Sequence, residues 1–464
     1  MSDRDIAHKL WGLCNVLRDD GITYHQYVNE LTYLLFLKMA QEIGSEQDLP
    51  IGYRWKDLAG QAPALQFDFY RRQLVVLGTT ADPIIRAIFA NPTSLLRHPE
   101  SLSTLVAKID ELDWYNVQRE GLGDIYEGLL ERNASEKKSG AGQYFTPRAL
   151  IETIVAVIKP RASDIIHDPA AGTGGFLVVA NDYISKSKSN KLKPIFVGVE
   201  LVQDTHRLLL MNTILHGLKG DFVHGDSLSA EDAARIPPAD IILTNPPFGT
   251  KRGGGLPGRR DLPYPTTSKQ LAFLQHIYLG LKPGGRAAVV VPDSVLYEGH
   301  AGKQVRRDLL RFCNLHTILR LPDGIFYASV TTNVLFFSRD DEGTNGIWIY
   351  DMRSNMPVYG KRSPLQRADF KDFEAAYGLD VNGKSPRKDQ GALGRFRHFT
   401  RDYIEERDLD LSISWLRDER HSGDSNSTDI EEITIQLRHL LEGIIEDFEQ
   451  LVDDMPVIDM DSRA

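Results

Sequence analysis

Apolar residues recur at three- and four-residue spacing through the first 132 positions of the chain. Leu10, Leu13 and Leu17 mark one stretch, Leu31, Leu34, Leu35 and Met39 a second, and Ile125 and Leu129 repeat the pattern further on. That periodicity predicts amphipathic helices with a shared apolar core. The polar run ASEKKSGAG at 134–142 reads as a boundary loop. From about 145 to 340 the texture changes. Short β-rich apolar runs at 165–167, 195–199, 241–243, 287–291, 316–321 and 333–337 alternate with helical stretches at 147–158, 205–215 and 269–281. Such alternation predicts a parallel sheet with helices on both faces. Residues 340–400 are weakly patterned. The end of the chain reads as one long helix: Thr428 and Glu431 suit a capping box, and Ile430, Ile433, Leu437, Leu440, Ile444, Phe448 and Leu451 form an apolar stripe. The expected organisation is a helical domain over 1–135, an α/β domain over 136–400 and a C-terminal segment over 401–464.

Composition excludes several classes. The 464 residues are 42% hydrophobic and 25% charged, as in ordinary soluble proteins. Only Cys14 and Cys313 occur, which rules out a disulfide scaffold or a Cys-based metal cluster and fits a reducing cytoplasm. The longest apolar runs, at 34–37 and 287–292, fall far short of the ~20 residues that span a bilayer. The opening MSDRDIAHKL is too polar for a secretory signal. The thirteen histidines contain no H-E-x-x-H spacing, so no metal is expected.

Charge changes the picture more. The net charge of −10 by itself argues against a nucleic-acid partner. Residues 421–464, however, hold twelve acids and two bases, Arg438 and Arg463, so the rest of the chain sums to zero. Two Gly- and Pro-containing segments, 249–270 and 381–398, each hold five bases and one acid. The acidic end suits a helix packed on its own domain or docked on a partner subunit.

The first chemical candidate is IIHDPAAGTGGF at 165–176, followed by LVVAND. An apolar strand, Asp168, a glycine-rich turn and a helix follow in order. Glycines let a ligand approach the backbone, and the helix start offers unpaired N–H groups. No Lys-Ser/Thr follows the glycines, which excludes a nucleoside-triphosphate P-loop. The next strand, IFVGVE, ends in Glu200, placed to accept from both ribose hydroxyls. Asp226 in HGDSL follows a third expected strand and is placed to meet an adenine edge. An adenosine-containing cofactor fits, either a dinucleotide or S-adenosylmethionine.

The second candidate is Asn245-Pro246-Pro247-Phe248, at the end of the apolar strand IILT. The C-terminal edge of an open α/β sheet is where ligands bind. Consecutive prolines fix the backbone and remove donors, leaving carbonyl acceptors. The side-chain oxygen of Asn245 adds another acceptor, and Phe248 a flat apolar face. An exocyclic amine on a planar base suits such a site, because its lone pair is delocalised into the ring. Hydrogen bonds from both N–H groups to Asn245 and the Pro246 carbonyl would favour a pyramidal nitrogen facing an electrophilic methyl group. Phe248 would stack on a base turned out of the duplex.

These residues resemble the N6-adenine DNA methyltransferases and, among them, the modification subunit of type I restriction–modification systems. The resemblance covers roughly 1–400 and rests on DPAAGTGGF, NPPF, GQYFTPR at 142–148, DIYEGLLER before it and LPDGIF…TNVLFF (321–337) behind it. It implies a Rossmann-like S-adenosylmethionine-dependent methyltransferase domain with an N-terminal helical domain and a C-terminal helix. It implies that Gly142, Gln143, Tyr144, Phe145, Thr146 and Pro147 line the methionine end of the cofactor. Asp168, Ala170, Gly172, Thr173, Gly174 and Gly175 would form its loop, with Glu200 on the ribose and Asp226 beside the base. Asn245, Pro246, Pro247 and Phe248 would take the target adenine. Ala171 departs from a pattern that often has Cys, at a position that needs only a small residue. Only about 120 residues follow the last expected strand, too few for a target-recognition region beside the acidic helix. The resemblance thus implies a separate specificity subunit flanked by two copies of this chain, with a restriction subunit joining for cleavage.

Lys251, Arg252, Arg259 and Arg260 flank a glycine-rich stretch just after NPPF, which suits equally a clamp on DNA phosphates and a mobile surface loop. Three rivals remain at this stage. A glutamine-N5 protein methyltransferase would share an NPP site but not QYFTPR. A nicotinamide dehydrogenase would share the glycine loop and Glu200 but has no use for NPPF. A non-catalytic scaffold that binds the cofactor would have no need of an intact tetrapeptide.

Overall fold

The computed structural model describes residues 9–10, 12–13, 24–92, 94–112, 114, 146–186, 193–250, 259–326, 330–340, 342–357, 359 and 363–417. Gly142 to Phe145, Lys251, Arg252 and the acidic helix with its Thr428–Glu431 cap lie outside the described residues, as do Leu17, Ile125 and Leu129.

The first described elements are helices: α1 (Tyr24–Glu42), α2 (Trp55–Ala59), α3 (Pro63–Gly78), α4 (Pro83–Ile88) and α5 (Pro99–Asp110). Proline opens three of them, α3, α4 and α5, where its missing N–H costs nothing and its fixed φ is already helical. Asp82 caps α4, accepting from the amides of Ile84 and Ile85 at 2.9 and 2.8 Å. Leu31, Leu34, Leu35 and Met39, the stripe read from the sequence, are all buried with Trp55, Tyr70 and Phe89. At one edge of this core the Asp110 carboxylate accepts from Lys38 Nζ at 2.8 Å and from the Trp55 indole at 3.0 Å.

Helix α6 (Arg148–Ile158) leads into a nine-stranded sheet of order β3-β2-β1-β4-β5-β7-β6-β8-β9. The strands are β1 (Ile165–Asp168), β2 (Ile195–Glu200), β3 (Gly220–His224), β4 (Ala239–Thr244), β5 (Leu281–Pro292), β6 (Cys313–Arg320), β7 (Thr332–Arg339), β8 (Gly346–Asp351) and β9 (Phe396–Thr400). Helices α7 (Gly175–Ser185), α8 (Gln203–Leu215), α9 (Ala230–Ala233), α10 (Lys269–Gly280), α11 (Ser294–Tyr297), α12 (His300–Phe312) and α13 (Lys371–Tyr377) lie in the connections, and α14 (Arg401–Glu406) follows β9.

The sheet is mixed, which corrects the expectation of a wholly parallel one. β7 runs antiparallel to both β5 and β6, and β9 antiparallel to β8. The chain between β6 and β7 is too short to carry a helical crossover, so β7 can only turn back. β8 and β9 extend the sheet into the region whose sequence was weakly patterned.

The chain winds outward from β1 through β2 to β3, then returns to place β4 on the other side of β1. This reversal is a topological switch point, and it opens a crevice at the C-terminal ends of β1 and β4. The register pairs Ile166 with Ile241 and His167 with Ile242, so Asp168 and the end of β4 emerge side by side.

Residues Met1–Arg353 and Val358–Ser414 form one compact unit, within which α8 contributes Leu208, Leu210, Met211 and Leu215 to the core of the N-terminal helices. Of the described residues, 354–357 and 415–417 belong to a second unit, where Asn355 Nδ2 donates to the Arg417 carbonyl at 2.9 Å.

Candidate active site

The glycine loop leaves β1 at Asp168, which is 1% exposed. Asp168 Oδ1 accepts from the Ala170 amide at 3.1 Å and starts the turn. The Ala171 amide donates to the Val199 carbonyl at 2.9 Å and fastens the turn to β2. Gly172 and Gly174 then take φ of +56° and +88°, conformations that L side chains rarely adopt. A Cβ at Gly174 would stand 2.6 Å from Leu209 Cδ1. α7 begins directly after Gly174 with no side chain capping its first amides. The result is a backbone cradle ending in a helix N-terminus.

Glu200 closes the cradle from the end of β2. Its carboxylate accepts from the Gly172 amide at 3.0 Å and from the Val202 amide at 2.8 Å. Burial raises its pKa, while those two amides and the neighbouring His224 oppose the rise. Burial raises Asp168 further, to about 7, opposed by the Thr244 hydroxyl and the Ala170 amide and reinforced by the charge of Glu200. Two acids at adjacent strand ends therefore disfavour simultaneous ionisation. Asp226, after β3, accepts from the Leu228 amide at 2.8 Å. Ser227 next to it donates to the Pro169 carbonyl at 2.6 Å and joins the third loop to the first.

β4 ends at the fully buried Thr244, and NPPF follows. Pro246 is buried, while Asn245, Pro247 and Phe248 are half-buried. Gly249 is pinned to the start of α10, its amide donating to Gln270 Oε1 at 3.0 Å and its carbonyl accepting from Lys269 at 2.9 Å. Asn245 Nδ2 donates to Thr146 Oγ1 at 2.9 Å. That bond joins the last described residues of QYFTP to NPPF across a separation of 99 residues. In this arrangement the Nδ2 end of the Asn245 amide is engaged by Thr146 and the Oδ1 end is the acceptor.

The basic residues after NPPF divide. Arg260 is exposed. Arg259 instead turns inward, with its side chain 7% exposed. It donates to both oxygens of Asp261, to the Ser227 carbonyl at 3.0 Å and to His276 Nδ1 at 2.8 Å. Its guanidinium is engaged with the protein, contrary to the phosphate-clamp reading of the sequence. Burial and the Arg259 charge hold His276 neutral, with a pKa near 4 despite Asp261. Sequence reasoning also missed Asn212, which is 0% exposed and donates through Nδ2 to the Thr173 carbonyl at 3.0 Å. A lone amide inside the apolar run LLLMNTIL was the available signal.

Comparison with known proteins follows the same division of the chain. The family model for N-6 DNA methylase matches residues 117–423, and that for the HsdM N-terminal domain matches 6–109. The type I restriction enzyme StySPI methylase subunit of Salmonella potsdam is 46% identical over 90% of this chain and 89% of its own length. The crystal structure of the type I restriction enzyme EcoKI M protein is 38% identical, with a TM-score of 0.56 over 97% of this chain and 96% of that one. A chain solved in work on assembly and conformational transition of the type I restriction–modification system is 26% identical, with a TM-score of 0.72 over 98% of this chain and all of that one. The sheet and its loops are accordingly a Rossmann-like methyltransferase domain joined to an N-terminal helical domain. The chain belongs to the N-6 DNA methylase family and is a modification subunit of the type I restriction–modification kind, an adenine-N6 DNA methyltransferase.

Proposed function

We propose that the crevice at the ends of β1 and β4 is where the methyl group passes from S-adenosylmethionine to an adenine turned out of DNA. The observation that carries this reading is the Asn245–Thr146 hydrogen bond, which unites the two motifs whose chemistry is complementary. The glycine loop fits the cofactor: Gly172 borders open space, a side chain on Gly174 would run into Leu209, and Glu200, its carboxylate held by two amides, would take the ribose. Thr146 and Pro147, with Gly142 to Phe145 before them, would line the methionine end, and Asp226 the adenine end. When bound, S-adenosylmethionine would supply an electrophilic methyl group whose bond to sulfur breaks as the bond to nitrogen forms, leaving a neutral thioether, and the surplus proton on the methylated amine would pass to solvent.

The chain's own residues then do the rest. The amide oxygen of Asn245 and the Pro246 carbonyl accept from the two N–H groups of the adenine amine. This draws its lone pair out of conjugation and toward the methyl carbon. Phe248 stacks on the extruded base and offsets part of the unstacking energy. Pro247 has no N–H to compete for the base and keeps the frame rigid. The gain comes from orientation and polarisation without a covalent intermediate.

DNA sequence would be read by a separate specificity subunit flanked by two copies of this chain, with a restriction subunit joining for cleavage. Arg260, together with Lys251 and Arg252, would meet DNA phosphates. The acidic C-terminal segment, expected from its apolar stripe to be helical, would meet protein rather than DNA. Truncation after Gly423 is expected to impair assembly while leaving cofactor affinity nearly unchanged, which co-purification and calorimetry would check. Acting on chromosomal DNA, the complex would work in the cytoplasm.

The test is methyl transfer from labelled S-adenosylmethionine to DNA, with and without a co-expressed specificity subunit, followed by nucleoside analysis. Label in N6-methyladenine only when the specificity subunit is present supports the reading. Label in protein glutamine, or equal DNA methylation without the partner, overturns it.

A further inference from the structure

Helix α8 has two working faces. Leu208, Leu210, Met211 and Leu215 enter the core of the N-terminal helices. Arg207 strengthens that contact: its guanidinium donates to the Ala90 carbonyl at 3.3 Å and lies 5.2 Å from the centre of the Tyr33 ring. Leu209 and Asn212, one turn apart, face the other way. Leu209 fills the space that a side chain on Gly174 would need. Asn212 donates to the Thr173 carbonyl, the peptide oxygen between the two positive-φ glycines.

We propose that Asn212 is the positioning residue of the glycine loop, and that α8 thereby makes cofactor affinity depend on the packing of the N-terminal helices. This rests on the loop being the S-adenosylmethionine site. A loop with glycines at 172 and 174 has many alternative conformations when free. Binding would have to freeze them, and that entropy would subtract from affinity. Anchoring the Thr173 carbonyl fixes the peptide plane that precedes Gly174. The first amides of α7 are then aimed before the ligand arrives. The anchor is only as firm as its helix, and much of that helix's apolar surface is buried against the N-terminal bundle. Asn212 does not touch the reacting atoms on this account. Its loss should weaken binding and spare the chemical step.

The experiment measures S-adenosylmethionine affinity of the full-length chain by calorimetry and kcat in complex with the specificity subunit. Asn212→Ala and the isosteric Asn212→Asp are each expected to raise Kd about tenfold, the effect of losing one anchoring hydrogen bond. Their kcat at saturating cofactor should stay within about twofold of wild type. Arg207→Met, which keeps the apolar stem, should raise Kd about threefold from a distance. In the wild-type chain, the cofactor should also slow amide hydrogen exchange in α1 and α4 as well as in the loop. Wild-type Kd in both Asn212 variants overturns the positioning role. Wild-type Kd in Arg207→Met, or no protection in α1 and α4, overturns the coupling. Glu200→Ala separates the two levels. If it leaves Kd unchanged, the site itself is misassigned; if it abolishes binding while the Asn212 variants bind normally, only this inference fails.

Discussion

At the scale of single residues, the site depends on side chains that hold one another as much as on those that face substrate. Thr146 occupies one end of the Asn245 amide and so sets the direction of the other. Thr146→Val keeps the shape and removes the hydroxyl. It is expected to lower kcat about tenfold, with a change in cofactor Kd of less than about threefold, since misdirecting the amide weakens a contact made to the reacting amine. Steady-state kinetics with calorimetry on the same preparation would check this; unchanged kcat would contradict it. The positions of Asp168, Glu200 and NPPF were legible because each sits where an apolar strand stops, and strand ends can be read from hydrophobic runs. Arg259 and Asn212 were not legible. An arginine in a basic, glycine-rich segment has no mark that tells solvent from carbonyl partners, and Arg259 finds Ser227, which is distant in sequence.

At the scale of elements, most strands that bound the crevice were visible as apolar runs, since β1, β4 and β5 are buried along nearly their whole length. β8 and β9 were not. β8 alternates in burial at its start, and β9 is a short edge strand carrying Arg397 and His398. Helix α12 was missed as well, because HAGKQVRRDLLRF has few apolar residues and buries Arg306 through carbonyl partners at Leu409, Val295 and Glu298.

The far half of the sheet is closed by a polar clasp. Arg353 donates to both oxygens of Asp293 at 2.7 and 3.0 Å, and to the carbonyls of Thr332 and Leu321. Asn333 completes Asp293 at 2.7 Å. Although burial alone would raise it, the Asp293 pKa is lowered by Arg353 and Asn333. Arg353→Ala leaves that carboxylate and two carbonyls short of donors. It should cost about 3 kcal/mol of unfolding free energy, measured by urea denaturation. A loss below about 1 kcal/mol would show that the clasp contributes little.

At the scale of the whole molecule, the chain's net charge of −10 lies entirely in residues 421–464, so it carries no information about the crevice. No described helix is long and apolar enough to cross a membrane. The response to pH follows from buried groups. Burial lowers His167 to about 3, helped by His276; it lowers His276 to about 4 and His316 to about 3, the latter beside Arg387. A histidine depressed in the folded state contributes stability above its unfolded pKa of about 6.5 and loses it as pH falls. Asp168, raised to about 7, has the opposite sign: its contribution is complete below the usual aspartate pKa and fades as pH rises toward 7. These three histidines outweigh the two raised acids, Asp168 and Glu200, so the thermal midpoint should fall between pH 6.5 and 4. His316→Gln, in the half of the sheet beyond β7, should make that fall shallower. Identical pH profiles for the variant and wild type in differential scanning calorimetry would contradict this.

The measurement that bears most directly on the central claim is methyl transfer by Asn245→Ala in the full complex, with S-adenosylmethionine binding determined on the same preparation. A site that acts by holding and polarising the adenine amine predicts loss of N6-methyladenine formation by at least about a thousandfold, with cofactor Kd within about threefold of wild type. N6-methyladenine formed at near wild-type rate by this variant would contradict the account.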